Sequence, residues 1–221
     1  MYNKILVVNP NSNTENTRWI DEAIQPLRSQ DGPEIECRTL ADGPIAIENE
    51  IQGAQVVPSL CRLIEQESEY TGAFVVACYS DPGVLAARDV TDKPVIGICE
   101  AGLSTALNFG DRVGVLHNGV EDIIPAMRGA RALGLDSRVV GGRSIDVPMA
   151  RMDEQGLVLE QMTKAAHQLE DELHASVLVF GCAAMTPFRR SLEKECGLPV
   201  IDPAQAAVGM AITAVRCFSQ N

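Results

Sequence analysis

Apolar residues recur along the chain in two patterns. Short, β-branched and almost wholly apolar runs predict strands over Lys4–Val8, Glu34–Thr39, Ala73–Ala77, Val95–Ile98, Arg112–Leu116, Ser137–Gly141, Val177–Phe180 and Val200–Ile201. Strands with no polar face are those buried on both sides, as in a parallel sheet. Longer stretches with apolar positions at helical spacing predict helices over Thr14–Ser29, Ile51–Tyr70, Pro82–Val90, Glu100–Asn108, Glu121–Leu133, Asp153–Leu173, Thr186–Cys196 and Ala204–Phe218. Strand–helix alternation of this kind predicts an α/β fold with mainly parallel sheets.

The pattern also repeats. "FVVACYSDPG" from Phe74 and "VLVFGCAAMTP" from Val177 are each an apolar run closed by one cysteine, then small residues and a proline. "KPVIGICEAGLSTAL" and "LPVIDPAQAAVGMAI" follow these cysteines at nearly equal spacing, and the opening runs "ILVVNPNS" and "RVGVLHNG" correspond as well. The same succession occurring twice predicts two similar halves with a break near Glu100 to Asp111. The resulting domain assignment is residues 1–99 plus 203–221 for the first lobe and 100–202 for the second.

Composition narrows the class. The 221 residues are 46% hydrophobic, enough for a substantial core without disulfides. A formal net charge of −12 with scattered Lys and Arg argues against nucleic acid or an anionic membrane as partner. No apolar run approaches a membrane span, and "MYNKILVVNPNS" lacks the charged and apolar regions of a secretory signal. Seven cysteines without a CxxC pair or a histidine cluster fit neither a disulfide framework nor a zinc site. A reduced, cytoplasmic setting and a small-molecule substrate are expected, with no metal.

Cys78 and Cys182 are the cysteines the repeat singles out. Each stands where an apolar strand ends and a helix is about to begin. Ligands of parallel sheets bind beyond the carboxyl ends of strands. A helix N-terminus offers free N–H groups that favour thiolate over thiol. Ser80 or Asp81 is expected to cap the next helix, with Pro82 at its first position, and Thr186 before Pro187 similarly. The small Ala183 and Ala184 let backbone amides approach a ligand. The remaining cysteines read as small core residues. Two thiols across a cleft suit racemisation of a carbon acid: one thiolate removes a proton beside a carbonyl, and the other thiol returns one to the opposite face. Asn9 and Asn11, after the first strand, either contact an imide or ureide edge or only shape an Asn-Pro turn. His117 and the neighbouring Asn118 occupy the corresponding lip of the second half. His117 either contacts a carbonyl or, if protonated, holds a carboxylate.

Taken together, "VVNPNSN", "GPIAIENEIQGAQVVPSL", "ACYSDPGVLAARD", "KPVIGICEA", "FGCAAM" and "LPVIDPAQAAV" resemble the Asp/Glu/hydantoin racemase superfamily, most closely its hydantoin and allantoin racemase branch. The resemblance spans nearly the whole chain. It implies two pseudo-symmetric flavodoxin-like lobes with four-stranded sheets, an active site in the cleft between them, cofactor-independent two-cysteine racemisation and a homo-oligomer. It also implies that the closing helix returns to the first lobe and that Ile47 forms an apolar wall of the substrate pocket. Family members usually carry Phe-Gly where this chain has Tyr79-Ser80, Gly where it has Ala184, and a Thr pair where it has His117-Asn118. The catalytic pair is thus intact in an altered pocket. A 5-substituted hydantoin or allantoin-like ureide is the expected substrate. Alternatives are an acidic amino acid, maleate-type cis–trans isomerisation, or a two-lobed metabolite-binding protein without chemistry.

Overall fold

A computed structural model describes residues 3–148 and 151–218 of the chain. Two compact units emerge, one running to Ala101 and resuming at Ala204, the other spanning Gly102–Pro203. The first contains β1 (Lys4–Asn9), α1 (Thr14–Ile24), β2 (Glu34–Thr39), α2 (Glu50–Glu67), β3 (Ala73–Val76), α3 (Val84–Arg88) and β4 (Val95–Gly97). The division falls inside α4 (Ile98–Ala106). The second unit contains β5 (Val113–His117), α5 (Ile123–Ala132), β6 (Val139–Ser144), α6 (Gln155–Leu173), β7 (Val177–Phe180), α7 (Arg189–Cys196) and β8 (Val200–Ile201). The closing α8 (Pro203–Phe218) belongs almost wholly to the first unit, where Gln205 donates to the Ala23 carbonyl at 2.7 Å.

Both sheets are four-stranded and every strand pair is parallel. Their orders, β2-β1-β3-β4 and β6-β5-β7-β8, are the same winding. Ile5 to Val8 of β1, all of β3 and all of β7 are fully buried, as two-sided apolar strands must be. In the first unit Leu6, Val8, Leu60, Ile64, Phe74 and Val76 form one cluster, against which Ile47 packs. Burying a side chain such as Phe74 contributes about 2–3 kcal/mol.

Equivalence between the units extends to single hydrogen bonds. Ala77 N–H donates to the Val8 carbonyl at 2.8 Å, and Gly181 N–H to the Leu116 carbonyl at 2.7 Å. Leu40 N–H donates to the Asn9 carbonyl and Ile145 N–H to that of His117, each at 2.9 Å. Asn9 therefore corresponds to His117, and Cys78 to Cys182. These residues stand at the carboxyl ends of the paired strands β1/β3 and β5/β7, where the winding of each sheet reverses. That reversal is where open α/β sheets bind ligands.

Several expected boundaries move. The first helix ends at Ile24, because Pro26 cannot continue its ladder, and a 3₁₀ turn (Gln25–Leu27) follows. The sixth strand runs Val139–Ser144 rather than Ser137–Gly141, with an irregular register between Val113 and Gly114. Among the described residues no helix is long and apolar enough to cross a membrane.

Candidate active site

Cys78 lies two residues beyond β3, half-buried and reduced. Its carbonyl accepts from Asp81 N–H at 2.9 Å, closing a tight turn, and its sulfur lies 3.4 Å from the Ser80 hydroxyl. Cys182 lies two residues beyond β7, also half-buried and reduced. Its carbonyl accepts from Met185 N–H at 3.1 Å. A 3₁₀ helix (Ala183–Phe188) starts directly after it, with Cys182 itself in the extended capping position. Ala183 and Ala184 thus supply the first amides of that helix, which have no partner within it. A Ser hydroxyl thus lies beside the Cys78 sulfur, and Cys182 directly precedes the first amides of a 3₁₀ helix.

The helix caps differ from the sequence expectation. Pro82 does not begin α3. Its cap is Gly83 at φ 74°, preceded by Asp81 at φ 47°, because the turn that carries Cys78 consumes these residues. Asp81 does cap a helix, but it is α4: its carboxylate accepts from Cys99 and Glu100 N–H, both at 2.9 Å. Thr186 is not a cap either. It lies inside the 3₁₀ helix and donates its hydroxyl to Asp202. Burial pushes the Asp81 carboxyl up to about 7, against the pull of the two amides. Folding therefore favours the protonated acid. Its contribution to stability is full below about pH 4 and is lost as pH rises through about 7.

Asn9 and Asn11 close on each other. The Asn9 amide donates to Asn11 Oδ1, the Asn13 carbonyl and Thr17 Oγ1, each at 3.0 Å, and Asn11 Oδ1 also accepts from Asn13 N–H at 3.0 Å. Both are buried, so these amides shape the β1–α1 turn, and Asn13 caps α1. Ile47 is partly buried on the first unit's core. The Tyr79 hydroxyl is buried beside the Cys99 thiol, and burial raises both groups. Asn118 accepts from Asp146 N–H at 3.2 Å through its carbonyl.

His117 is 1% exposed, and burial lowers its pKa to about 4. The ring lies between two glycines. A Cβ at Gly142 would sit 2.8 Å from its Cδ2, and one at Gly181 would sit 2.7 Å from its Nδ1. Burial therefore favours the neutral imidazole over the protonated, carboxylate-binding form considered for His117. The ordinary pKa is 6.5, so the unfolded chain takes up a proton between pH 6.5 and about 4 that the folded chain refuses. Stability falls as pH drops through that window, by at most about 3 kcal/mol. Urea titrations at pH 7 and pH 4.5 should show a smaller acid penalty for His117→Asn, the residue type at the equivalent position of the first unit. An unchanged penalty would refute this assignment.

Asp202, Gly97, Gly142 and Gly181 were not singled out from sequence. The first two were readable in principle: aligning "KPVIG" with "LPVID" pairs Gly97 with Asp202. Among the described residues, no three His, Cys, Asp or Glu gather as a metal site.

The fold and the comparisons with known proteins together define an α/β isomerase of the racemase class. The chain belongs to the Asp/Glu/hydantoin racemase family, whose family model matches residues 5–211. It is 34% identical to a hydantoin racemase of Pseudomonas sp. (strain NS671), over 96% of this chain and 86% of that protein. It is 32% identical to a hydantoin racemase of Paenarthrobacter aurescens, over 99% and 93%. Its fold is similar to that of the allantoin racemase of Klebsiella pneumoniae, with a TM-score of 0.88 and 27% identity over 96% of this chain and 87% of the other. Membership of an enzyme family sets aside the non-catalytic binding protein.

Proposed function

We propose that this racemase inverts the ring carbon of a neutral five-membered ureide, a 5-substituted hydantoin or allantoin, with Cys78 and Cys182 as alternating base and acid. One observation carries the reading: the two thiols occupy the same point of two identically wound sheets, each just past the strand at which the winding reverses. In one direction a thiolate takes the proton from the carbon flanked by carbonyl and nitrogen. The electron pair moves into the adjacent carbonyl as an enolate, stabilised by amide donors of the cysteine turns. The other thiol delivers its proton to the opposite face and becomes the thiolate. The reverse direction exchanges the roles, and neither a metal nor an organic cofactor is consumed. Reduced thiols in both roles suit a reducing, cytoplasmic compartment.

The neutral His117 favours a ureide over an acidic amino acid, because an uncharged imidazole gives a substrate carboxylate no counter-charge. The hydantoin and allantoin racemases among its relatives point the same way. Cis–trans isomerisation would use a single nucleophilic cysteine and leave its equivalent without a task.

A single enantiomer of a 5-substituted hydantoin, and of allantoin, incubated in deuterated water should lose optical rotation toward zero while deuterium enters the ring carbon. Aspartate and glutamate run in parallel should keep their rotation. Turnover of either amino acid with both ureides inert would overturn the substrate class.

A further inference from the structure

The two cysteine turns share a feature that the racemase reading leaves unused. Behind Cys78, the Asp81 carboxylate ties the turn to the first amides of α4. Behind Cys182, Thr186 ties the corresponding turn to Asp202, the residue immediately before α8. Asp202 is 3% exposed.

The two ties meet the sheet at the same place. Gly97 ends β4 and Asp202 follows β8, at matching positions of the "PVIG" and "PVID" segments. Gly97 has no side chain, and the space is taken by Asp81: a Cβ at Gly97 would lie 2.3 Å from the Asp81 carboxyl carbon. Each unit thus places a carboxylate at the junction between its fourth strand and the next helix. In the first unit it reaches in from the cysteine turn, and in the second it arises at the junction and receives a hydroxyl from the cysteine turn. Asp81 adopts a left-handed backbone at φ 47°, a conformation that disfavours a non-glycine residue. Two hydrogen bonds from backbone amides to the side chain offset that strain.

We propose that Asp81 and the Thr186–Asp202 pair are positioning residues, one strut for each thiol, which fix the direction of Cys78 and Cys182 toward the substrate carbon. The inference rests on the two-cysteine reading. A strut of this kind matters because proton transfer from carbon needs the acceptor in line, and a misplacement of about 1 Å lowers rates up to about 100-fold. The two struts are chemically independent, so their effects separate by thiol.

The test pairs steady-state racemisation with the rate of alkylation by iodoacetamide, read separately at Cys78 and Cys182 by peptide mass spectrometry. Asp81→Asn keeps the side-chain size but leaves only one acceptor. It should lower kcat about 10-fold with KM changed less than about twofold, and slow alkylation of Cys78 while that of Cys182 is unchanged. Gly97→Ala, which displaces the carboxylate without removing it, should reproduce this result. Thr186→Val and Asp202→Asn should give the mirror pattern, slowing Cys182 alone, and Thr186→Ser should restore both rates. Faster alkylation of Cys78 in Asp81→Asn would mean that Asp81 acts as a repelling charge, and would overturn the strut. So would Thr186→Ser failing like Thr186→Val, or both thiols moving together in either set. Loss of the two-cysteine reading is a separate outcome, seen as turnover persisting in serine variants of the cysteines themselves. The crossed alkylation pattern is unaffected by it.

Discussion

Cys78→Ser and Cys182→Ser are each expected to lower racemisation by about 1,000-fold or more, about 4 kcal/mol of transition-state stabilisation, on the two-thiol mechanism. A serine hydroxyl is far less acidic than a thiol, so it supplies neither a base at neutral pH nor a proton at a useful rate. Either loss breaks the cycle, because a proton must leave one face and another arrive at the opposite face. Each variant keeps one working thiol, however. That thiol still removes the proton from the enantiomer that presents it and returns deuterium to the same face. In deuterated water, Cys78→Ser should therefore exchange one enantiomer without inverting it, and Cys182→Ser the other. The measurement is deuterium incorporation by mass spectrometry alongside chiral chromatography. Substantial racemisation in either variant would sink the two-thiol mechanism. Thermal unfolding should change little, since both side chains are half-buried and serine is nearly the same size.

Gly181→Ala is the second large effect, and it acts through packing. The new Cβ would lie 2.7 Å from His117 Nδ1 and 2.8 Å from the Leu116 carbonyl oxygen. The imidazole cannot retreat, because Gly142 closes on its other side. The Leu116 carbonyl cannot retreat either, since it accepts the Gly181 N–H at 2.7 Å within the β5–β7 pairing. Overpacking of this kind costs about 3 kcal/mol, and the melting temperature should fall by about 5–10 °C. Gly181 adjoins Cys182, so racemisation should fall as well, even at temperatures where the variant is folded. Gly129→Ala is the control. Nothing lies within 4 Å of a Cβ there, in the middle of α5, and the substitution should stabilise by about 0.5–1 kcal/mol. Equal melting temperatures for the two variants would show that the glycine cradle of His117 is not tight.

How much of this was readable in the chain depends on the range of the interactions involved. The alternation of apolar runs and helical stretches is local, and it led directly to two parallel α/β sheets. The recurrence of strand, cysteine and Pro-Val-Ile picked out Cys78 and Cys182, because an internal repeat carries its own alignment. Helix caps were read less well. Ser80 or Asp81 before Pro82 looked like the cap of the next helix, yet Asp81 serves α4, beyond a whole strand. Capping chemistry is visible in sequence, but the partner is whichever helix start the fold brings near. His117 shows the same limit: its residue type left both a neutral and a charged form open, and only its burial between Gly142 and Gly181 favours the neutral one. Asn9 and Asn11 read equally as a ligand's edge or a turn, and the structure shows which groups they bond within that turn.

Sequence alone determined the fold class and the duplication, and it singled out Cys78 and Cys182 as the equivalent cysteines, since each follows from periodicity or repetition along the chain. Only the tertiary structure decided the strand order, the burial of His117, and the carboxylate that stands behind each cysteine. Those depend on which backbone amides, glycines and buried surfaces meet across the sheet, and residues distant in the chain settle that.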